Sequence, residues 1–133
     1  MEKPKARILI VDDDEDIRTL LKKTLRLRGY SDILEATDGK QALEISREKN
    51  PDLIVLDTVL PDIDGREVCR RIKGTEGDNP KVVICTSLDA AVDSEKASSA
   101  GADAFVPKTF DFNYLLDVVA KLIHPQASED TGT

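Results

Sequence analysis

Five short apolar runs alternate along the chain with segments of helical periodicity, and this alternation decides the fold class. The runs are Arg7 to Val11, Ile33 to Ala36, Leu53 to Leu56, Val82 to Cys85 and Ala104 to Val106. Most are continuous and β-branched, as strands buried on both faces are. After the first, Ile17, Leu20, Leu21, Thr24 and Leu25 recur at helical spacing, with Asp14 placed to cap and Gly29 to stop. A second helix is predicted over Asp38 to Lys49, carrying Ala42, Leu43 and Ile45. A turn, Pro61 to Gly65, leads into a third helix with Val68, Cys69 and Ile72. A fourth is predicted over Ala90 to Ala100. Asp111 is placed to cap a last helix striped by Leu115, Val118, Val119 and Leu122. Strands that alternate with helices make parallel βαβ units under helices on both faces. The prediction is an α/β, doubly wound, five-stranded parallel sheet of flavodoxin-like order 2-1-3-4-5. The partly polar second run suits a sheet edge.

The chain has 133 residues, enough for one self-sufficient core. With aromatics at 4% and no Trp, that core is aliphatic. The formal net charge is −7, which opposes non-specific nucleic-acid binding and suits carboxylates gathered around a cation. Cys69 and Cys85 lie within apolar patterns and read as buried thiols in a reducing compartment. No apolar run approaches the roughly 20 residues that span a bilayer, so a soluble, cytoplasmic protein is expected. Residues 1–124 read as one domain and 125–133 as a polar tail.

In a doubly wound sheet, ligands bind beyond the C-terminal ends of the strands. Four groups of polar residues fall there: Asp12 and Asp13, Asp57, Thr86 and Ser87, and Lys108. Grouped carboxylates repel and raise each other's pKa, and a hard divalent cation relieves that. Mg²⁺ takes few carboxylates and keeps room for phosphate oxygens. An ammonium and a hydroxyl can hold the remaining oxygens of a phosphoryl group, the positioning that promotes phosphoryl transfer. Asp14, Glu15 and Asp16 read as a solvated helix start, and the sole histidine, His124, as a surface residue.

The stretches ILIVDDDEDIR, LIVLDTVLPDIDG, VVICTS and GADAFVPK resemble the receiver domains of two-component response regulators over about residues 6 to 123. The likeness is to stand-alone receivers of the chemotaxis kind. It implies that Asp57 is the phospho-acceptor. It implies that Asp13, Asp57 and the backbone carbonyl of Val59 ligate Mg²⁺, with Asp12 acting through water. It further implies that Thr86 and Lys108 contact the phosphoryl oxygens. Phe105 stands in the place of the switch aromatic. The output face would be the fourth helix, fifth strand and last helix. A sensor histidine kinase or phosphotransfer protein would be one partner and a downstream protein effector another, with no direct nucleic-acid contact and no membrane insertion. The chain would catalyse its own phosphorylation and dephosphorylation without being an enzyme for a separate substrate. Thr109 departs from the Pro usual after the lysine. A non-proline cis bond costs about 2.5–4 kcal/mol, so the Lys108–Thr109 bond is expected to be trans.

Three other readings stand beside this one. A phosphorylation-independent binding module is favoured only by Thr109. A Mg²⁺-dependent phosphatase commonly carries Asp-x-Asp at its nucleophile, and Val59 opposes that. The chain also fits the receiver portion of a larger hybrid kinase or transcription regulator.

Overall fold

The computed structural model describes residues 6–75, 77, 79–87, 100–108 and 112–124. The element order is β1 (Arg7–Val11), α1 (Glu15–Leu27), β2 (Asp32–Ala36), α2 (Gly39–Lys49), β3 (Leu53–Leu56), α3 (Gly65–Lys73), β4 (Lys81–Thr86), β5 (Ala104–Pro107) and α4 (Asn113–Ile123). The fourth helix predicted from sequence falls almost wholly outside the described residues, as do residues 125–133.

The five strands form one parallel sheet in the order β2-β1-β3-β4-β5. Strand alternation sends successive side chains to opposite faces. Ile8, Ile10, Leu53, Val55, Val83, Cys85 and Val106 pack with Leu21 and Leu25 of α1 and Leu115, Leu116 and Val119 of α4. Leu9, Val11, Ile54, Leu56, Val82 and Ile84 pack with Ala42 of α2 and Val68, Cys69 and Ile72 of α3. Helices therefore cover both faces, as the continuous apolar runs require. The exception is β2 at the edge, where four of its five residues are only half-buried.

The helix starts are set by side-chain caps. Asp14 accepts hydrogen bonds from the Asp16 and Ile17 N–H groups at 2.9 and 3.4 Å. Asp38 accepts one from Gln41 N–H at 2.7 Å, and Asp64 one from Arg66 N–H at 2.8 Å. The N-cap position of α4 is Phe112, with φ at 54° and no side-chain cap bond. Phe112 is 2% exposed and packs into the cluster beneath α1 and α4. Burial of the Phe112 ring anchors the entry to this helix. Asp111, expected to cap it, lies outside the described residues.

Cys69 and Cys85 are free and buried. Burial pushes their thiols up to about 11 and about 12 respectively. Neither presents a thiolate at neutral pH. Both are expected to resist iodoacetamide in the native protein and to react on unfolding. Alkylation of either in native protein, read by mass spectrometry, would overturn this.

Candidate functional site

The C-terminal edge of the sheet brings the predicted residues together. The chain leaves β1 at Asp12, leaves β3 at Asp57, ends β4 at Thr86 and passes from β5 to Lys108. Backbone bonds continue the sheet ladder across this edge. Asp12 N–H donates to the Ala36 carbonyl at 3.2 Å and Asp57 N–H to the Val11 carbonyl at 3.0 Å. Lys108 N–H donates to the Thr86 carbonyl at 2.6 Å. The site therefore rests on the most buried part of the fold.

Lys108 joins the two buried carboxylates. Its Nζ lies 2.8 Å from Asp12 Oδ2 and 3.1 Å from Asp57 Oδ2. Asp12 Oδ1 accepts the Asp14 N–H at 2.9 Å, so both oxygens of Asp12 are engaged. Asp57 Oδ1 accepts the Val59 N–H at 3.3 Å. Asp12 and Asp57 are 3% and 5% exposed, while Asp13 is exposed. One carboxylate oxygen from each of these three lies within 4.8 Å of the others. This is a hard-oxygen donor set, which fits Mg²⁺ by chemistry.

Electrostatics follow from the crowding. Asp12 is held above its ordinary value, mainly by burial, while Lys108 and the Asp14 N–H oppose the rise. The negative charge of Asp57 adds only the smallest part. The expected repulsion between carboxylates is thus present but secondary to desolvation. Burial lowers Lys108, but Asp12 and Asp57 outweigh it and hold the ammonium above its ordinary value.

Thr86 is 1% exposed, and its hydroxyl bonds the Thr58 hydroxyl with an Oγ1–Oγ1 distance of 2.8 Å. Phe105 is half-buried, against the cluster beneath α2 and α3, and pairs in register with Ile84. Ser87 is exposed. Val59 is 70% exposed beside Asp57. The Lys108–Thr109 bond lies outside the described residues, because Thr109 does. His124 takes the C-cap position of α4 and is half-buried, not fully on the surface.

Three contributors were not singled out from sequence. Thr58 follows Asp57 as a buried hydroxyl two residues past the end of β3. Gly65 passes so near the acceptor loop that a Cβ there would meet the Asp57 carbonyl oxygen at 2.0 Å. Arg18 donates to the Asp12 carbonyl at 2.8 Å while its Nε lies 3.2 Å from Glu35 Oε1, tying the loop after β1 to the edge strand. A Gly that closes an acidic turn after an apolar strand was the available signal for Gly65.

The model of the response regulator receiver domain matches residues 8–120. The chain belongs to the response regulator receiver family. This receiver is 40% identical over 127 residues to the response regulator MprA of Mycobacterium tuberculosis, covering 96% of this chain and 54% of that protein. MprA of Mycolicibacterium vanbaalenii is 38% identical over 125 residues, covering 94% and 53%. The chain thus spans about half the length of the curated relatives it matches. Among solved structures, it resembles the response regulator TrrA of Thermotoga maritima, solved in complex with Mg²⁺-BeF. The TM-score is 0.78 at 39% identity, covering 88% of this chain and 98% of that one. It also resembles DrrB, a T. maritima OmpR/PhoB homolog, with a TM-score of 0.80 at 31% identity, covering 92% and 54%. Among the described residues no helix of this receiver is long and apolar enough to cross a membrane.

Proposed function

We propose that this receiver is a phosphorylation switch with Asp57 as the acceptor. The observation that carries the reading is Lys108, whose ammonium bridges Asp12 and Asp57 at the sheet edge, with Asp13 near enough to share a cation. An Asp57 oxygen forms a bond to phosphorus as the bond from phosphorus to the donor breaks. The electron pair leaves with the donor, the imidazole nitrogen of a phosphohistidine on a sensor kinase or phosphotransfer protein, or the carboxylate of an acyl phosphate. Lys108 and Thr86 then take phosphoryl oxygens as partners, the ammonium by charge and the hydroxyl as donor. Asp13, Asp57 and the Val59 carbonyl would hold Mg²⁺ directly. Asp12 would act through water. When bound, Mg²⁺ neutralises charge that one ammonium facing three carboxylates leaves uncompensated.

The chain acts on itself and has no separate metabolic substrate. Its output is a change in affinity for a protein effector, through the face that includes β5 and α4, with Phe105 as the aromatic that follows Thr86. The functional unit is residues 1–124, placed in the cytoplasm by its partner kinase. Relatives of twice the length make a second reading specific: the same switch serves as the receiver portion of a longer regulator, and the face then docks an attached domain.

The test is incubation with Mg²⁺ and a small acyl phosphate, followed by intact-mass spectrometry. Wild type should gain one phosphoryl group and Asp57→Asn none. An unmodified wild type across several donors would favour the phosphorylation-independent module.

A further inference from the structure

Thr58 and Thr86 form a buried pair of hydroxyls at the edge of the site. They are 6% and 1% exposed, and their Oγ1 atoms are 2.8 Å apart. Both residues are held by their backbones, so the movement at issue is one of side chains. Thr58 is held by its backbone: its carbonyl accepts the Gly65 N–H at 2.9 Å, and a Cβ on Gly65 would lie 2.7 Å from its Cα. This close packing of the backbone restricts how far Thr58 can follow a moving partner. Thr86 ends β4, and its carbonyl accepts the Lys108 N–H at 2.6 Å, which leaves its side chain as the part that can turn.

A hydroxyl has one proton to donate. If Thr86 turns that proton to a phosphoryl oxygen on Asp57, Thr58 can take over as donor only while Thr86 stays within reach. A Thr86 drawn toward the phosphoryl group leaves the fixed Thr58 behind, buried and without its partner. An unpaired buried hydroxyl is unfavourable, so the pair opposes that movement.

We infer that Thr58 is a positioning residue, a latch whose hydroxyl holds Thr86 in the resting arrangement and raises the threshold at which a phosphoryl group on Asp57 can rearrange the site. The inference rests on the switch reading above. Its distinctive prediction is that removing the Thr58 hydroxyl makes the switch easier to throw, whereas loss of a merely structural contact would weaken or leave unchanged the response.

The test is a titration with beryllofluoride and Mg²⁺, followed by the amide NMR shifts of Thr86 and Phe105, in wild type, Thr58→Val, Thr58→Ser and Asp57→Asn. Thr58→Val should reach half-saturation at about fivefold lower beryllofluoride, the ratio one neutral hydrogen bond supplies. In the unliganded Val variant, the Thr86 shift should already lie part-way to its bound position. Thr58→Ser, which keeps the hydroxyl, should stay near wild type. Thr58→Ala removes the same group and gives the same reading if the Val variant does not fold. Equal or weaker binding by the variants without the hydroxyl overturns the latch alone, provided wild type binds and Asp57→Asn does not. A wild type that shows no saturable binding overturns the latch and the switch together.

Discussion

Gly65→Ala should dislodge the phospho-acceptor. The added methyl carbon would stand 2.0 Å from the Asp57 carbonyl oxygen and 2.7 Å from Thr58 Cα. Both atoms are backbone, so no rotamer change relieves the overlap. Either α3 retreats from the sheet or the segment carrying Asp57 and Thr58 is displaced. The first loosens Val68, Cys69 and Ile72, which are fully or nearly fully buried against the sheet. The second moves the Asp57 carboxylate away from Lys108 and from the Val59 N–H. The expected cost is about 3 kcal/mol, at the upper end for forced overpacking. Phosphoryl loading should fall at least about tenfold, because misplacement on the ångström scale is costly to transfer. Gly29→Ala is the contrast. Gly29 has φ at 98° but nothing within 4 Å of an added Cβ. It should lose about 1 kcal/mol from left-handed backbone and keep its loading. A urea midpoint and a loading level for Gly65→Ala equal to wild type would sink the argument.

The sheet was legible because each strand's burial is written in its own composition. Leu53–Leu56 is apolar at every position because helices press on both faces, and β2 is partly polar because it lies at the edge. The positions of Asp12, Asp57, Thr86 and Lys108 were legible for a related reason. Each is the first polar residue past an apolar run, or close to it, and the strand order carries them to one edge. Contacts between polar side chains were not legible. The Thr58–Thr86 bond joins residues 28 apart, and no periodicity reports which hydroxyls meet. Asp62 gave the same difficulty. It reads as part of a turn, yet its carboxylate accepts the Gly39 and Lys40 N–H groups at 2.7 and 2.9 Å and helps cap α2 from another loop. Those backbone bonds also hold Asp62 below its ordinary pKa. The entry to α4 was hidden for a different reason. Sequence rules look for a polar cap, and they give no sign that Phe112, 2% exposed, is buried there.

Lys108→Met is the second large effect expected, and its pH dependence separates charge from packing. The substitution keeps an apolar stem and removes the ammonium. Asp12 and Asp57, at 3% and 5% exposed, then lose the cation between them. Breaking a buried pair costs about 3–5 kcal/mol, but the Lys108 side chain is 25% exposed and solvent reaches the site, so about 2 kcal/mol is expected at neutral pH. The folded protein holds Lys108 above its ordinary value of 10.5. A raised lysine contributes stability that is fully present below the unfolded value and lost as pH climbs through the folded one. The gap between wild type and Lys108→Met should therefore be flat through neutral pH and close only above 10.5. Asp12 works at the other end. Its raised value means that its contribution favours the fold at low pH and is lost as pH rises through the folded value. Without Lys108 that value rises further, so the variant's loss starts from the same unfolded value but runs to higher pH and ends larger than in wild type. Urea midpoints measured across the pH range give both windows. A constant gap into the alkaline range would assign the loss to packing of the lysine stem. No gap at neutral pH would mean that solvent already screens the pair, and that Lys108 is held ready for phosphoryl oxygens without stabilising the resting fold.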